Sequence, residues 1–206
     1  GGFYEIIKKF FKKNINYHGV DTEKKIIEKA KKKYLYRKNL KFSVIKKSKL
    51  SLKSKKYTLS FCTGVLNHNN NYKLIIKDLI RVSSKYIFID SPRVHMNQKF
   101  VGKLNLTKRF PSKIKKNNIV YNYTINLREY LIFLKNIFKK NNINQAIFYS
   151  DYLPYKKKYL KINKKISFLT FLCVKGRKKN NSSNFKFICK NNEMAEVFEQ
   201  IFNGSK

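Results

Sequence analysis

Asp21 closes the run Tyr17-His18-Gly19-Val20, which reads as a short strand, and follows the pair Gly1-Gly2 at the head of an amphipathic helical pattern. Glycines at a strand-to-helix turn let a ligand approach the backbone. A carboxylate about twenty residues later, at the tip of the next strand, accepts hydrogen bonds from two neighbouring ribose hydroxyls. The pattern is the second half of a nucleotide-type cofactor site. No strand pattern precedes Gly1 and no Met begins the chain. The sequence is therefore read as a fragment or processed chain lacking its first strand and the start of the glycine loop.

Few other side chains carry reactive chemistry. Of the three histidines, His68 follows a strand pattern and is best placed to act as a base or to shape an acceptor pocket, whereas His18 lies within a strand and reads as structural. Asp90 and His95 flank Pro92, but two isolated ligands do not make a metal site, and no metal is expected. Cys62, Cys173 and Cys189 are far apart in sequence, which argues for reduced thiols in a cytoplasmic protein rather than a disulfide framework. No apolar run approaches the ~20 residues that span a bilayer, and no signal-peptide pattern leads the chain. A soluble protein is expected.

With 206 residues the chain is long enough for one domain with a sizeable core. Its formal net charge of +37 points first to nucleic acid, because dense cationic surface attracts phosphates and releases counterions. Yet only six of the 48 basic residues are arginine, and Asn, Ile, Phe and Tyr are also abundant. All of these residues share A- and T-rich codons. A low-G+C genome produces this composition in almost any protein, with Lys filling solvated positions. Tyr121 and Tyr123, near Lys115 and Lys116, imitate an aromatic-plus-basic platform, a pairing that this composition generates readily.

Periodicity organises the first half as alternating helices and strands. Phe3, Ile6, Ile7, Phe10 and Phe11 form one helical stripe, before a strand near residues 15–20. Ile26, Ile27, Ala30 and Tyr34 form the next helix, before a strand at Leu40–Ile45. Tyr57–Cys62 is a strand, Tyr72 to Ile80 a helix and Tyr86–Ile89 a further strand. This rhythm implies a parallel sheet covered on both faces. Residues 91–122 lack periodicity and read as a variable insertion over an acceptor. Asn126 with Glu129 resembles a capping box opening a helix to Lys140. Ile143–Tyr149 and Ile166–Val174 are expected to pair antiparallel at the sheet edge, residues 178–184 to be a polar linker, and Asn192 to begin a short terminal helix that stops near Gly204.

From Gly1 to about Gly176, the order of elements and several short motifs resemble the class I S-adenosylmethionine-dependent methyltransferases. Gly1-Gly2-Phe3-Tyr4 is similar to the end of the family's glycine-rich first motif, and Asp21 in Gly19-Val20-Asp21-Thr22 to its ribose-binding acid. Tyr57 through His68, ending Thr63-Gly64-Val65-Leu66-Asn67-His68, is similar to the fourth-strand motif with its Val-Leu-x-His loop. Arg81-Val82-Ser83 and Lys85-Tyr86-Ile87-Phe88-Ile89 match the helix end and fifth strand that follow. Two positions depart from the pattern. Lys46-Lys47-Ser48-Lys49 stands where an acid often contacts adenine, and Thr58 stands where Asp is common.

The resemblance implies a Rossmann-like α/β sandwich, with a mainly parallel sheet and an antiparallel strand toward the carboxyl end. It further implies a methyltransferase domain over residues 1–176, followed by a linker and terminal helix over 177–206. S-adenosyl-L-methionine is the implied cofactor, with Gly1, Gly2, Asp21, Thr22 and Thr63 on it and His68 toward a small-metabolite or glycan-type acceptor. An RNA methyltransferase using the basic surface, and a non-catalytic basic module retaining the fold, are the alternatives.

Overall fold

The computed structural model describes residues 2–11, 15–45, 50–90, 92–105, 119–152, 166–176 and 183–204. The chain divides into two compact units, Gly1–Ser51 and Leu52–Lys206.

The smaller unit contains α1 (Gly2–Phe10), β1 (Tyr17–Asp21), α2 (Lys24–Lys33) and β2 (Leu40–Val44). Its two strands pair in parallel, from Tyr17 opposite Leu40 to Asp21 opposite Val44. Tyr4, Ile27, Ala30, Tyr34 and Phe42 make the core. The Tyr34 ring stacks on Phe42 at 5.6 Å and meets the edge of Tyr4 at 5.5 Å. The Tyr34 hydroxyl donates to Glu5 Oε1 at 2.8 Å, so a buried phenol retains a partner. Gly19 is needed for close approach, because a Cβ there would stand 2.9 Å from Phe42 Cδ1. Among the described side chains of α1, Tyr4 is buried, while Phe3 and Ile6 from the expected stripe are exposed. The ring cluster, not the broadest apolar stripe, sets the helix rotation.

The larger unit holds β3 (Tyr57–Thr63), a single 3-10 turn (Leu66–His68), α3 (Tyr72–Val82), β4 (Ser83–Asp90) and β5 (Arg93–His95). These are followed by β6 (Phe100–Asn105), β7 (Ile119–Asn126), α4 (Leu127–Lys140), β8 (Ile143–Tyr152), β9 (Ser167–Lys175), β10 (Asn184–Cys189) and α5 (Asn192–Phe202). The sheet is mixed. β3 pairs in parallel with β4, β5 with β7, and β10 with β8. β9 runs antiparallel to β8 on one side and to β4 and β5 on the other. The β8–β9 pair is antiparallel as expected, but it lies inside the sheet, with β10 beyond it.

One face of this sheet is packed by helices. Phe138 of α4 meets the rings of Phe148 and Phe171, and Phe198 and Phe202 of α5 stack at 4.7 Å and close on Phe148. α3 covers the same face, where buried Ser60 donates to the Leu79 carbonyl at 3.0 Å. Helix α4 begins at the anticipated cap, with Asn126 Oδ1 accepting from the Glu129 N–H at 3.0 Å.

Two expectations are corrected. The described part of residues 91–122 is not an aperiodic loop: β5, β6 and the first half of β7 lie there, and β6 and β7 form an antiparallel pair from Phe100 opposite Thr124 to Asn105 opposite Ile119. The alternate positions Asn122 and Thr124 of β7 are polar yet 3% and 2% exposed, so apolar alternation could not reveal the strand. Likewise β10 takes up the end of the expected linker and the residues after it, where Phe185 and Phe187 reach the α4 and α5 rings at 6.2 and 4.9 Å. Residues 106–118 and 177–182 lie outside the described set.

Burial also decides the behaviour of the thiols. Desolvation pushes Cys62 and Cys173 up to about 12, so both remain protonated at pH 8. Cys189 is only partly buried. Titration of the folded protein with a thiol-reactive chromogenic disulfide at pH 8 is expected to give one fast equivalent, from Cys189, and three after unfolding.

Candidate functional site

Asp21 is the last residue of β1 and is half-buried. Its Oδ1 accepts the Glu23 N–H at 2.9 Å, a turn that leads the chain into α2. The helix itself is capped by Glu23, whose Oε1 accepts from the Lys25 N–H at 3.3 Å. A carboxylate has about four acceptor positions, and the turn uses one. Asp21 therefore retains the capacity to accept from a vicinal diol. Thr22 is exposed in the bend between Asp21 and Glu23. Gly2 is the first residue of α1, where helix-start N–H groups lack intrahelical partners; Gly1 lies outside the described residues. His18, on the neighbouring register, places Nε2 2.8 Å from Ser43 Oγ, the structural role expected of it.

In the larger unit Thr63 is the last residue of β3, half-buried and opposite Asp90 at the end of β4. Asp90 Oδ1 accepts from the Thr170 hydroxyl at 3.0 Å, which ties β4 to β9 at the same end of the sheet. Gly64 follows with φ +67°, a left-handed conformation that favours glycine, and nothing lies within 4 Å of where its Cβ would stand. The turn delivers Leu66 and Asn67 inward and His68 outward. Buried Asn67 Oδ1 accepts the Arg93 N–H at 2.8 Å, anchoring the turn to β5.

His68 Nδ1 donates to the Tyr121 backbone carbonyl on β7 at 3.0 Å. A carbonyl only accepts, so Nδ1 carries the proton and Nε2 of the neutral ring presents a lone pair. The ring is exposed, and this tautomer is the one that removes a proton through Nε2. Sequence reasoning identified His68 but missed its partner, because a backbone carbonyl on β7 has no residue-type signal.

Arg93 is buried with its guanidinium 5.7 Å from the Phe168 ring, and Asn122 and Thr124 are buried on the adjacent strand. The sequence reading did not single these out. Their only signal is polar residues at buried strand positions. Among the described residues no group of three His, Cys, Asp or Glu side chains is arranged to hold a metal. His95 Nδ1 accepts from the Asn97 N–H at 3.2 Å. The Lys46–Lys49 departure and the Lys115–Lys116 part of the imitated platform lie outside the described residues. No helix among the described residues is long and apolar enough to cross a membrane.

No protein-family model matches the sequence, and no curated protein does. Solved structures do. An S-adenosylmethionine-dependent methyltransferase from Methanosarcina mazei aligns over 83% of this chain and 85% of its own, with TM-score 0.52 and 13% identity. The plantazolicin methyltransferase BpumL aligns over 86% of this chain and 73% of its own, with TM-score 0.50 and 14% identity. The fold is that of the class I S-adenosylmethionine-dependent methyltransferases.

Asn67 is the residue on which the turn geometry rests. Asn67→Ala removes the acceptor through which the turn holds the Arg93 N–H, at a cost of about 0.5–1.5 kcal/mol, the net worth of a typical hydrogen bond. Urea unfolding is expected to show a lower midpoint with an unchanged slope.

Proposed function

We propose that the protein binds S-adenosyl-L-methionine and transfers its methyl group to a small metabolite or glycan-type acceptor. The observation that carries this reading is Asp21, a strand-end carboxylate with unused acceptor positions, in a fold whose solved relatives are methyltransferases. The residues present fit the cofactor: one carboxylate accepts from both ribose hydroxyls with charge-assisted strength that an amide lacks. When bound, the cofactor supplies an electrophilic methyl group on sulfur.

The chain's own groups then have distinct tasks. Asp21 holds the ribose, with Thr22 beside it. The backbone N–H groups at Gly1, Gly2 and the start of α1 favour a carboxylate end. In the larger unit Thr63, which ends β3 ahead of the left-handed Gly64 turn, is the further side chain assigned to the cofactor. His68 accepts, through Nε2, the proton that an O–H or N–H acceptor loses. Its hydrogen bond to the Tyr121 carbonyl holds the ring in that tautomer. In this reading the methyltransferase domain takes in β10 and α5 beyond residue 176, and residues 91–122 lie on the acceptor side.

Calorimetric titration with S-adenosylhomocysteine tests the proposal. One equivalent is expected to bind in the micromolar range. Asp21→Ala is expected to weaken binding about 100-fold, since two hydrogen bonds to a charged group are worth at least ~3 kcal/mol together. Absence of binding by the folded protein overturns the reading, and unchanged affinity in Asp21→Ala overturns the site assignment.

A further inference from the structure

Just beyond the carboxyl ends of β3 and β4, polar side chains gather on one face of the sheet. Arg93 on β5 lies opposite Thr124 on β7 and opposite Phe168 on β9, and Asn122 stands two residues before Thr124, on the same side of its strand. All three polar residues are buried, Arg93 at 9% exposure, Asn122 at 3% and Thr124 at 2%. The Arg93 guanidinium sits 5.7 Å from the centre of the Phe168 ring. Among the described residues, Asn122 Oδ1 is a buried acceptor without a hydrogen-bond partner. Buried polar atoms are nearly always paired, and a ligand site is one place where an exception belongs.

Two hydrogen bonds fix this group to His68. The Arg93 N–H is held by Asn67, the residue before His68, and the His68 ring is held by the carbonyl of Tyr121, the residue before Asn122. All of these residues belong to the larger unit. Their chemistry selects a ligand. A guanidinium offers five N–H donors in a planar fork, so a partner within the fold leaves donors over. The fork matches the two coplanar oxygens of a carboxylate, and burial strengthens such a pair. The Asn122 oxygen calls for a donor on the same ligand. A hydroxyl or amino group near the carboxylate supplies one, and a phosphate dianion has none to give.

We infer that Arg93 and Asn122 form an acceptor subsite for a small carboxylic acid bearing a hydroxyl or amino group, with Arg93 on the carboxylate and Asn122 on the neighbouring donor. The inference rests on the methyltransferase reading and narrows its acceptor. The acceptor's oxygen or nitrogen forms the bond to the methyl carbon, the carbon–sulfur bond breaks with its electrons remaining on sulfur, and the acceptor's proton passes to His68 Nε2.

Saturation-transfer NMR titrations test it, with the full chain, saturating S-adenosylhomocysteine, and glycolate, lactate, 4-hydroxybenzoate and glucuronate, each against its primary amide. At least one acid is expected to bind about tenfold more tightly than its amide, the worth of one charge-assisted pair. Arg93→Gln is expected to remove that preference, and Arg93→Lys, which keeps the charge and loses the fork, to reduce it. Asn122→Asp sets a carboxylate inside the subsite and is expected to lower acid affinity about tenfold; it is read in place of any Arg93 variant that does not melt as a folded protein. Acid preference lost in the folded variants supports the subsite. A preference that persists in them belongs to the surface lysines and overturns it, as does the absence of any preference in protein that binds S-adenosylhomocysteine. Protein that does not bind S-adenosylhomocysteine overturns the methyltransferase reading, and the acceptor role falls with it.

Discussion

Strand β9 is the constraint on which the larger unit depends. It runs antiparallel to β8 from Lys175 opposite Ile143 to Ser167 opposite Tyr152, and its other edge serves both β4 and β5. A strand paired on both edges satisfies backbone groups that would otherwise be buried without partners. Leu169, Phe171 and Cys173 on its inward side are almost wholly buried, and Phe171 touches the rings of Phe138 and Phe148. Because β9 reverses direction, β8 runs parallel to β4, and β10 then adds in parallel outside β8. The ends of β3 and β4, where Thr63 and Asp90 face each other, are held by this arrangement through the Thr170 hydroxyl.

What the sequence disclosed followed the strength of its periodic signals. Helices α3 and α4 place their apolar residues on one side, and the Asn126 cap forms as its spacing predicts. The β6–β7 pair was invisible because its buried residues include Gly102, Asn122 and Thr124 while Tyr121 is exposed, an inversion of the usual alternation. The rotation of α1 was also hidden. It is fixed by Tyr4 meeting Tyr17 and Tyr34, contacts between residues distant in sequence. Asp21 was legible as a strand-end acid. Its turn to Glu23 was not, because one carboxylate type serves both the turn and a ligand.

The lysine-rich composition is not uniform in its physical consequences. Lys175 donates to the carbonyls of Ile80 and Ser83, satisfying oxygens at the carboxyl end of α3, and burial holds its ammonium below the usual lysine range. Lys135 does the same for the Ile201 carbonyl of α5. By contrast Lys24, Lys25, Lys29, Lys31, Lys32 and Lys33 on α2 are exposed, and Lys24 pairs loosely with Glu28 at 3.7 Å. Such solvated charges create a screened field. Two lysines acting as helix caps show that the lysine-rich composition supplies structural groups as well as surface charge.

Residue type and residue role separate most clearly at His68. Its place after β3 marks a candidate base, but a histidine in a loop has two ring nitrogens and no fixed orientation. The orientation comes from β7, fifty-three positions away, through a main-chain oxygen. The interaction belongs to the path of the strand rather than to the tyrosine that occupies position 121. Asn67, buried beside it, holds β5 by the same economy, with a side-chain oxygen on a main-chain N–H. The turn after β3 is thus gripped on both sides by backbone, and the backbone course of β5 and β7 decides which nitrogen of His68 faces outward. The chemistry of the turn is written in strands whose own side chains gave no sign of it.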